Sequence, residues 1–354
     1  MPILRLDKSL GSTEDLARIR DNLSAIVLGG DHLWLGGDEG AHIDRMTRDG
    51  RGNFGRHRRF NLEPLLKLPV APKKKSEIDI EGLDLDSGYL WLIGSHSLKR
   101  DKPEDDKTPH QNRDRLANVE AEGNRYTLGR VPLDANSEPA KRRDSLRAAL
   151  LEGDDKGDLL TKALAGDRHI GPFCRIPSKD NGLDIEGLAV RNHRAFVGLR
   201  GPVLRGWAVV LEIELKDSAH GAMRFAKSPR KHFLQLEGLG VRELAIHRKD
   251  LYILAGPTMG LDGPVFVYRW PKALDNTTQA FLPRNRLRKV LAVPYGTGKN
   301  RGLDHAEGIA LIGRKDSAPA VMICYDSPSR ARRLGDHGVR ADVFDLAAAD
   351  IDSI

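Results

Sequence analysis

Apolar residues fall in short alternating runs along the whole chain, and one such run recurs with its flanks. A charged residue, a small or branched apolar residue, Glu-Gly and an apolar stretch read DIEGLDL at Asp79–Leu85, DIEGLAV at Asp184–Val190 and HAEGIAL at His305–Leu311. Looser copies are LSAIVL at Leu23–Leu28 and VRELAI at Val241–Ile246. Each is followed by a second apolar run ending in a turn: HLWLGG, YLWLIGS, AFVGLRG, LYILAGP and VMICYDS. A strand pair repeating at roughly fifty to sixty residues predicts an all-β fold, a β-propeller.

The Glu position of the repeat serves as a ruler: Ser24, Glu81, Glu186, Arg242, Glu307. One interval, between Glu81 and Glu186, is about twice the others, which allows a sixth blade. Its middle, however, is polar and helix-prone over residues 100–122 and 137–165, and reads as two helical insertions within blade 2. The expectation is a single domain over residues 1–354, a five-bladed propeller of four-stranded blades. The outer strands expected for the first two blades are FNLEPLLKL and PFCRIP. Blade 5 runs HAEGIAL, AVMICY, ADVFDL and lacks a fourth strand, so PILRL from the N-terminus is expected to dock as its outer strand and close the ring.

Alternation along the strand predicts that Asp79, Glu81, Leu83 and Leu85 share one side, opposite Ile80, Gly82 and Asp84. The small side faces a neighbouring blade, where glycine permits close approach. Entries to the first strands and the loops between second and third strands share one face. Asp79, Glu81, Asp184, Glu186, His305 and Glu307 should therefore gather at one mouth of the channel. Asp38, Glu39, His96, Arg200, Arg205, Asp262 and Asp326 should join them from the loops. The 100–122 insertion belongs on that face as a lid, and the 137–165 insertion on the opposite one.

Several carboxylates around one channel call for compensation. One solution is a divalent cation, Ca²⁺ or Mg²⁺, held by Glu81, Glu186, Glu307, Asp79 and Asp184, and His305 would extend the choice to a transition metal. The other is structural: Arg242, at the position of the glutamates, neutralises two of them as a planar fork. Arg200 and Arg205 flank a Gly-Pro turn and, with Arg242, Asp262 and Asp326, are candidates for binding a small anionic ligand; alternatively, the two loop arginines pair with local acids. His305 and His96 are the histidines expected on one face, hence the candidate bases of a hydrolase.

Composition narrows the field. The 354 residues are 40% hydrophobic and 30% charged, with a net charge of +7 spread along the chain. Basic runs occur at Lys73–Lys75 and Arg56-His57-Arg58-Arg59, but no nucleic-acid motif or aromatic platform accompanies them, which disfavours nucleic acid as partner. No run of about 18 apolar residues exists and the N-terminus has no secretory apolar core, so membranes are disfavoured and a cytoplasmic setting is expected. Cys174 and Cys324 read as buried thiols.

The phrases IEGLAV…GLRGPVLRGWAVVLEIEL, LEGLGVRELAI…LYILAGPTMGLDGPVFVYRW and DHAEGIAL resemble a bacterial family of unknown function, which implies the fold and a cytosolic setting. The D/H-x-E-G phrase is also similar, more loosely, to esterase-like phytase and gluconolactonase-type propellers. That likeness implies acidic inner-strand starts that often hold Ca²⁺. Ser24 and Arg242 depart from the phrase, which leaves a lopsided site between blades 2, 3 and 5. The expected function is ligand binding at the acidic mouth, with a small anionic molecule or a protein as partner. The alternatives are a metal-dependent hydrolase of esters, lactones or phosphoesters, and a polyanion binder.

Overall fold

The computed structural model describes residues 1–71, 77–219, 221–295, 304–313 and 318–346. Five antiparallel sheets follow one another along the chain. Their innermost strands are Leu23–Gly29, Ile80–Asp86, Asp184–Arg191, Gly240–His247 and His305–Ile312. Each packs on the innermost strands of its two neighbours, the last on the first, so the ring is a closed five-bladed propeller. No sixth blade lies in the long interval.

Close approach of blades explains the glycine of the repeat. A Cβ on Gly82 would lie 2.7 Å from both the Cβ and the backbone nitrogen of Leu188 in the next blade. Gly187 has φ of +100° and would place a Cβ 2.9 Å from Glu243 Cα in blade 4. Apolar layers fill the spaces between blades; the closing layer combines Leu23, Ile26 and Leu33 of blade 1 with Ala310, Met322 and Cys324 of blade 5.

The N-terminal strand closes this seam from a different place than expected. Ile3–Arg5 runs parallel to the outer strand of blade 1 (Leu4 opposite Phe54) and antiparallel to Gly338–Arg340. It does not extend blade 5, which has three strands among the described residues. Leu4 and Leu6 bury their side chains in the seam, and that burial outweighs adding a ladder at the rim.

Two outer strands also lie elsewhere than FNLEPLLKL and PFCRIP. In blade 1 the strand is Phe54–Asn61, directly after the turn at Asp49–Asn53, and the segment beyond it coils to bury Leu62 and Leu66. In blade 2 it is the two-residue strand Ala149–Leu150, paired with Gly129 and Arg130, while Gly171–Phe173 forms a short 3₁₀ turn.

The 100–122 insertion is helical as expected, at Pro109–Ala117, capped by Thr108 and Gln111. The 137–165 insertion is helical only at Leu159–Ala165; before it come the short hairpins 142–147 and 153–158, whose turns are made by Asp-Ser and Asp-Asp-Lys-Gly. Nor does it stay on the far face. After Ala149–Leu150 the chain returns to the mouth end, where Leu151 N–H donates to Leu128 O and Asp158 meets His96. Among the described residues no helix is long and apolar enough to cross a membrane.

Candidate functional site

The five equivalent residues Ser24, Glu81, Glu186, Arg242 and Glu307 share one local peculiarity. In every blade the register between first and second strands slips at this position: between Leu23 and Ala25, Ile80 and Gly82, Ile185 and Leu188, Val241 and Glu243, and Ala306 and Gly308. A bulge adds an unpaired residue and re-aims its side chain. Regular alternation would put every second residue on the neighbouring-blade side; five bulges instead bring five side chains together at the channel mouth.

Arginines neutralise half of this ring. Arg242 Nη1 donates to Glu307 Oε1 at 2.7 Å and to Glu186 Oε2 at 3.0 Å. Arg200, from the second strand of blade 3, pairs with Asp184 and reaches Glu186 at 2.6 Å. Both guanidiniums are held further above their usual range by these carboxylates, against the effect of burial. Burial keeps the Glu307 carboxyl high nonetheless, at about 8, and raises Asp184 and Asp326 as well.

The other half lacks such cover. Asp38, at the end of the second strand of blade 1, accepts a hydrogen bond from Ser24 Oγ. Asp79 shares one oxygen with Arg125 at 2.8 Å, and Arg125 is itself tied to Glu122 at 2.8 Å. Glu81 has no hydrogen-bond or ion-pair partner among the described residues. One oxygen from each of Asp38, Asp79 and Glu81 lies within 4.8 Å of the other two. Burial, then the charge of Asp79, lifts Asp38 to about 7 and drives Glu81 well above the usual carboxylate range. These three carboxylates are the residues that could hold a hard divalent cation.

They form part of the floor of a cavity of about 710 Å³. The 100–122 insertion stands over it as a wall through Arg100, Lys102, Pro103 and Arg115, as its lid-like placement predicts. Arg100 latches to Asp180 at 2.6 Å. Of the residues expected at the mouth, Asp38, Glu39, Asp79, Glu81, Asp184, Glu186, Glu307, Arg200 and Asp326 line this cavity, and Arg242 pairs with two of them.

Four others do not line it. His96 is buried: Nδ1 faces Gly94 O at 2.9 Å and Nε2 faces Asp158 at 3.0 Å. Two acceptors favour the imidazolium, and although burial opposes the charge, Asp158 carries its pKa upward. His305 pairs with exposed Asp262 at 3.1 Å, outside the cavity. Arg205 occupies the exposed tip of the turn between Leu204 and Trp207. Of the two basic runs, Arg56–Arg59 has three of its four residues paired internally: His57 and Arg59 bind Asp44, and Arg58 binds Glu138. Lys73–Lys75 lie outside the described residues.

Arg125, Glu77, Lys99 and Lys179 line the cavity without having been singled out by the repeat. Arg125 stands where the 100–122 insertion rejoins the third strand of blade 2, on the same face as the other loops. That position was the available signal, masked by the surrounding charges.

Among solved structures the chain is similar to an α-L-arabinofuranosidase from Clostridium thermocellum, at 9% identity over 94% of this chain and 92% of that one, with a TM-score of 0.48. It is similar to a streptogramin B lyase at 10% identity over 92% and 95%, with a TM-score of 0.33. A putative 6-phosphogluconolactonase from Bacteroides fragilis matches at 10% identity over 91% and 87%, with a TM-score of 0.30. No curated protein matches the chain. Residues 22–342, which span all five blades from the first inner strand to the last sheet, match the family described as "Protein of unknown function (DUF3616)", and the chain belongs to that family.

Proposed function

We propose that this propeller binds a divalent cation, Ca²⁺ or Mg²⁺, at the channel mouth through Asp38, Asp79 and Glu81, and uses it to take up a ligand in the cavity above. The observation that carries the reading is Glu81. A bulge turns its carboxylate toward two others, and no arginine or backbone donor covers it, whereas Glu186 and Glu307 on the same ring are both covered by Arg242. A half-buried carboxylate without a partner is costly, and a cation relieves Glu81 while also binding Asp38 and Asp79, each of which has a single polar partner. Oxygen-only donors suit hard cations, with water completing the coordination. The proposed site thus sits between blades 1 and 2 rather than among blades 2, 3 and 5.

The reading is one of binding. Neither of the histidines expected as bases, His96 and His305, lines the cavity. Isothermal titration with CaCl₂ and MgCl₂ tests the proposal: one cation per chain is expected, weakened roughly tenfold or more by Glu81→Gln, which removes one of three ligand charges. Equal affinity in Glu81→Gln, or no binding to the unaltered chain, would overturn it.

A further inference from the structure

We propose that residues 98–122 form a hinged gate over this cavity, latched by the ion pair of Arg100 with Asp180, and that the gate swings aside to admit a bulky ligand. Access to the cavity is at issue, so the gate stands whether or not the floor holds a cation.

The segment is built as a unit of its own. Not one of residues 98–122 is buried, whereas Ser97 before it and Gly123–Arg125 after it are. A helix of a globular protein normally buries an apolar stripe. Pro109–Ala117 buries none of its residues, and Leu116 stays 46% exposed. What orders the segment is polar and internal. Thr108 and Gln111 cap the helix reciprocally, and Arg115 pairs with Glu104 at 2.6 Å. The two stems meet in a short ladder, with Lys99 opposite Glu120 and Arg100 opposite Val119. Such a unit keeps its shape by itself and has little apolar burial to hold it against the propeller.

Its attachments are few. The stems are anchored: Ser97 Oγ donates to Ser95 Oγ at 3.0 Å, and Asn124 Oδ1 accepts from Val70 N–H at 2.8 Å. Beyond the hinge turn at Glu122 and Arg125, two hydrogen-bonded contacts join the segment to the body among the described residues. Ser178 N–H donates to Leu98 O at 3.0 Å, beside the stem, and Arg100 pairs with Asp180 at 2.6 Å. Arg100 also donates to Leu116 O. One guanidinium therefore ties the end of the helix to the turn Ser178–Asp180 that leads into blade 3. Arg100, Leu116 and Asp180 all line the cavity, so the latch bounds it. The two partners are 31% and 37% exposed, and a pair so placed favours the closed state by about fivefold at most. A latch of that strength is readily released, as a gate requires.

The test measures access to the cavity floor. Glu81→Cys puts a thiol on the floor in a Cys174→Ala background, and Cys324 is buried. Its rates of reaction with methyl methanethiosulfonate and with a long polyethylene glycol maleimide are compared in three chains. The first keeps the segment unaltered, the second carries Arg100→Ala, and the third has residues 101–118 replaced by Asn-Gly. Because Arg100 opposes Val119, a two-residue turn closes the ladder, and no buried residue is removed. A bulky reagent that enters only through the open form reacts in proportion to the open population. It should react roughly tenfold or more faster in the shortened chain and about two- to fivefold faster in Arg100→Ala, while the small reagent changes by less than about twofold in either. Equal rates for the bulky reagent in all three chains, or equal acceleration of both reagents, would overturn the gate. Acceleration confined to the shortened chain would overturn Arg100 as its latch. Glu81→Cys removes a proposed cation ligand, so these rates are read without the cation and the titrations with CaCl₂ and MgCl₂ judge that reading separately.

Discussion

Replacing Arg242 with methionine tests whether the mouth is a ring of compensated charges. The guanidinium lies 2.7 Å from Glu307 and 3.0 Å from Glu186. At an effective dielectric of about 20, each contact is worth roughly 6 kcal/mol of Coulomb attraction, most of it cancelled by desolvation. Removing one partner of a buried pair typically costs about 3–5 kcal/mol. The lower end applies here, because Arg200 still covers Glu186 at 2.6 Å and only Glu307 is orphaned. A loss of about 3 kcal/mol at about 2 °C per kcal/mol gives a Tm lower by roughly 6 °C.

The pH dependence has a definite sign. Burial already holds the Glu307 carboxyl at about 8, so the folded state binds the extra proton and this group's contribution weakens as pH rises from its ordinary range to about 8. Loss of Arg242 pushes the carboxyl higher still. The deficit of the variant should grow with pH, by about 1 kcal/mol between pH 5.5 and pH 8.5, because the guanidinium is missed most once the carboxyl ionises. Scanning calorimetry of both proteins at the two values is the assay. A variant within about 1 °C of wild type at the higher pH, or a deficit that grows toward acid, would refute the charge-ring reasoning.

Other expectations follow from the blades themselves. Glu212, buried among Arg194, Arg230 and His232, is held at about 2 despite burial, by their hydrogen bonds; its contribution is present above the ordinary carboxylate range and lost as pH falls toward that value. Glu212→Gln should cost about 3 kcal/mol at pH 7 and little near pH 2.5, read by urea unfolding. Gly82→Val, facing the Leu188 backbone at 2.7 Å, should destabilise by about 2–3 kcal/mol in the same assay, and Leu188→Ala should not rescue it because the backbone nitrogen remains. Leu4→Ala in the closing seam should cost about 2–4 kcal/mol, although Leu4 belongs to no blade's own strand repeat.

The blades were legible because an inner strand must show a small face to its neighbour and a large one to its own sheet, and that demand leaves a repeating phrase. The gathering of Glu81, Glu186, Arg242 and Glu307 was legible for the same reason: equivalent positions in a closed ring meet. The bulges were not legible, since a register slip is a relation between two strands and neither alone encodes it. The strand Ala149–Leu150 is too short for any periodicity, and its insertion buries Ala149 and Leu151 only because the chain doubles back. Which carboxylates are neutralised was also hidden. It depends on Arg200 and Arg125 entering from strands distant in sequence, leaving Glu81 uncovered.

The central claim, a cation seat between blades 1 and 2, is tested most directly by a crystal soaked in terbium, a Ca²⁺ surrogate with strong anomalous scattering. The account predicts one anomalous peak about 2.3–2.6 Å from oxygens of Asp38, Asp79 and Glu81, absent in Glu81→Gln. A peak between Glu186 and Glu307 instead, or no peak at the mouth, would contradict it.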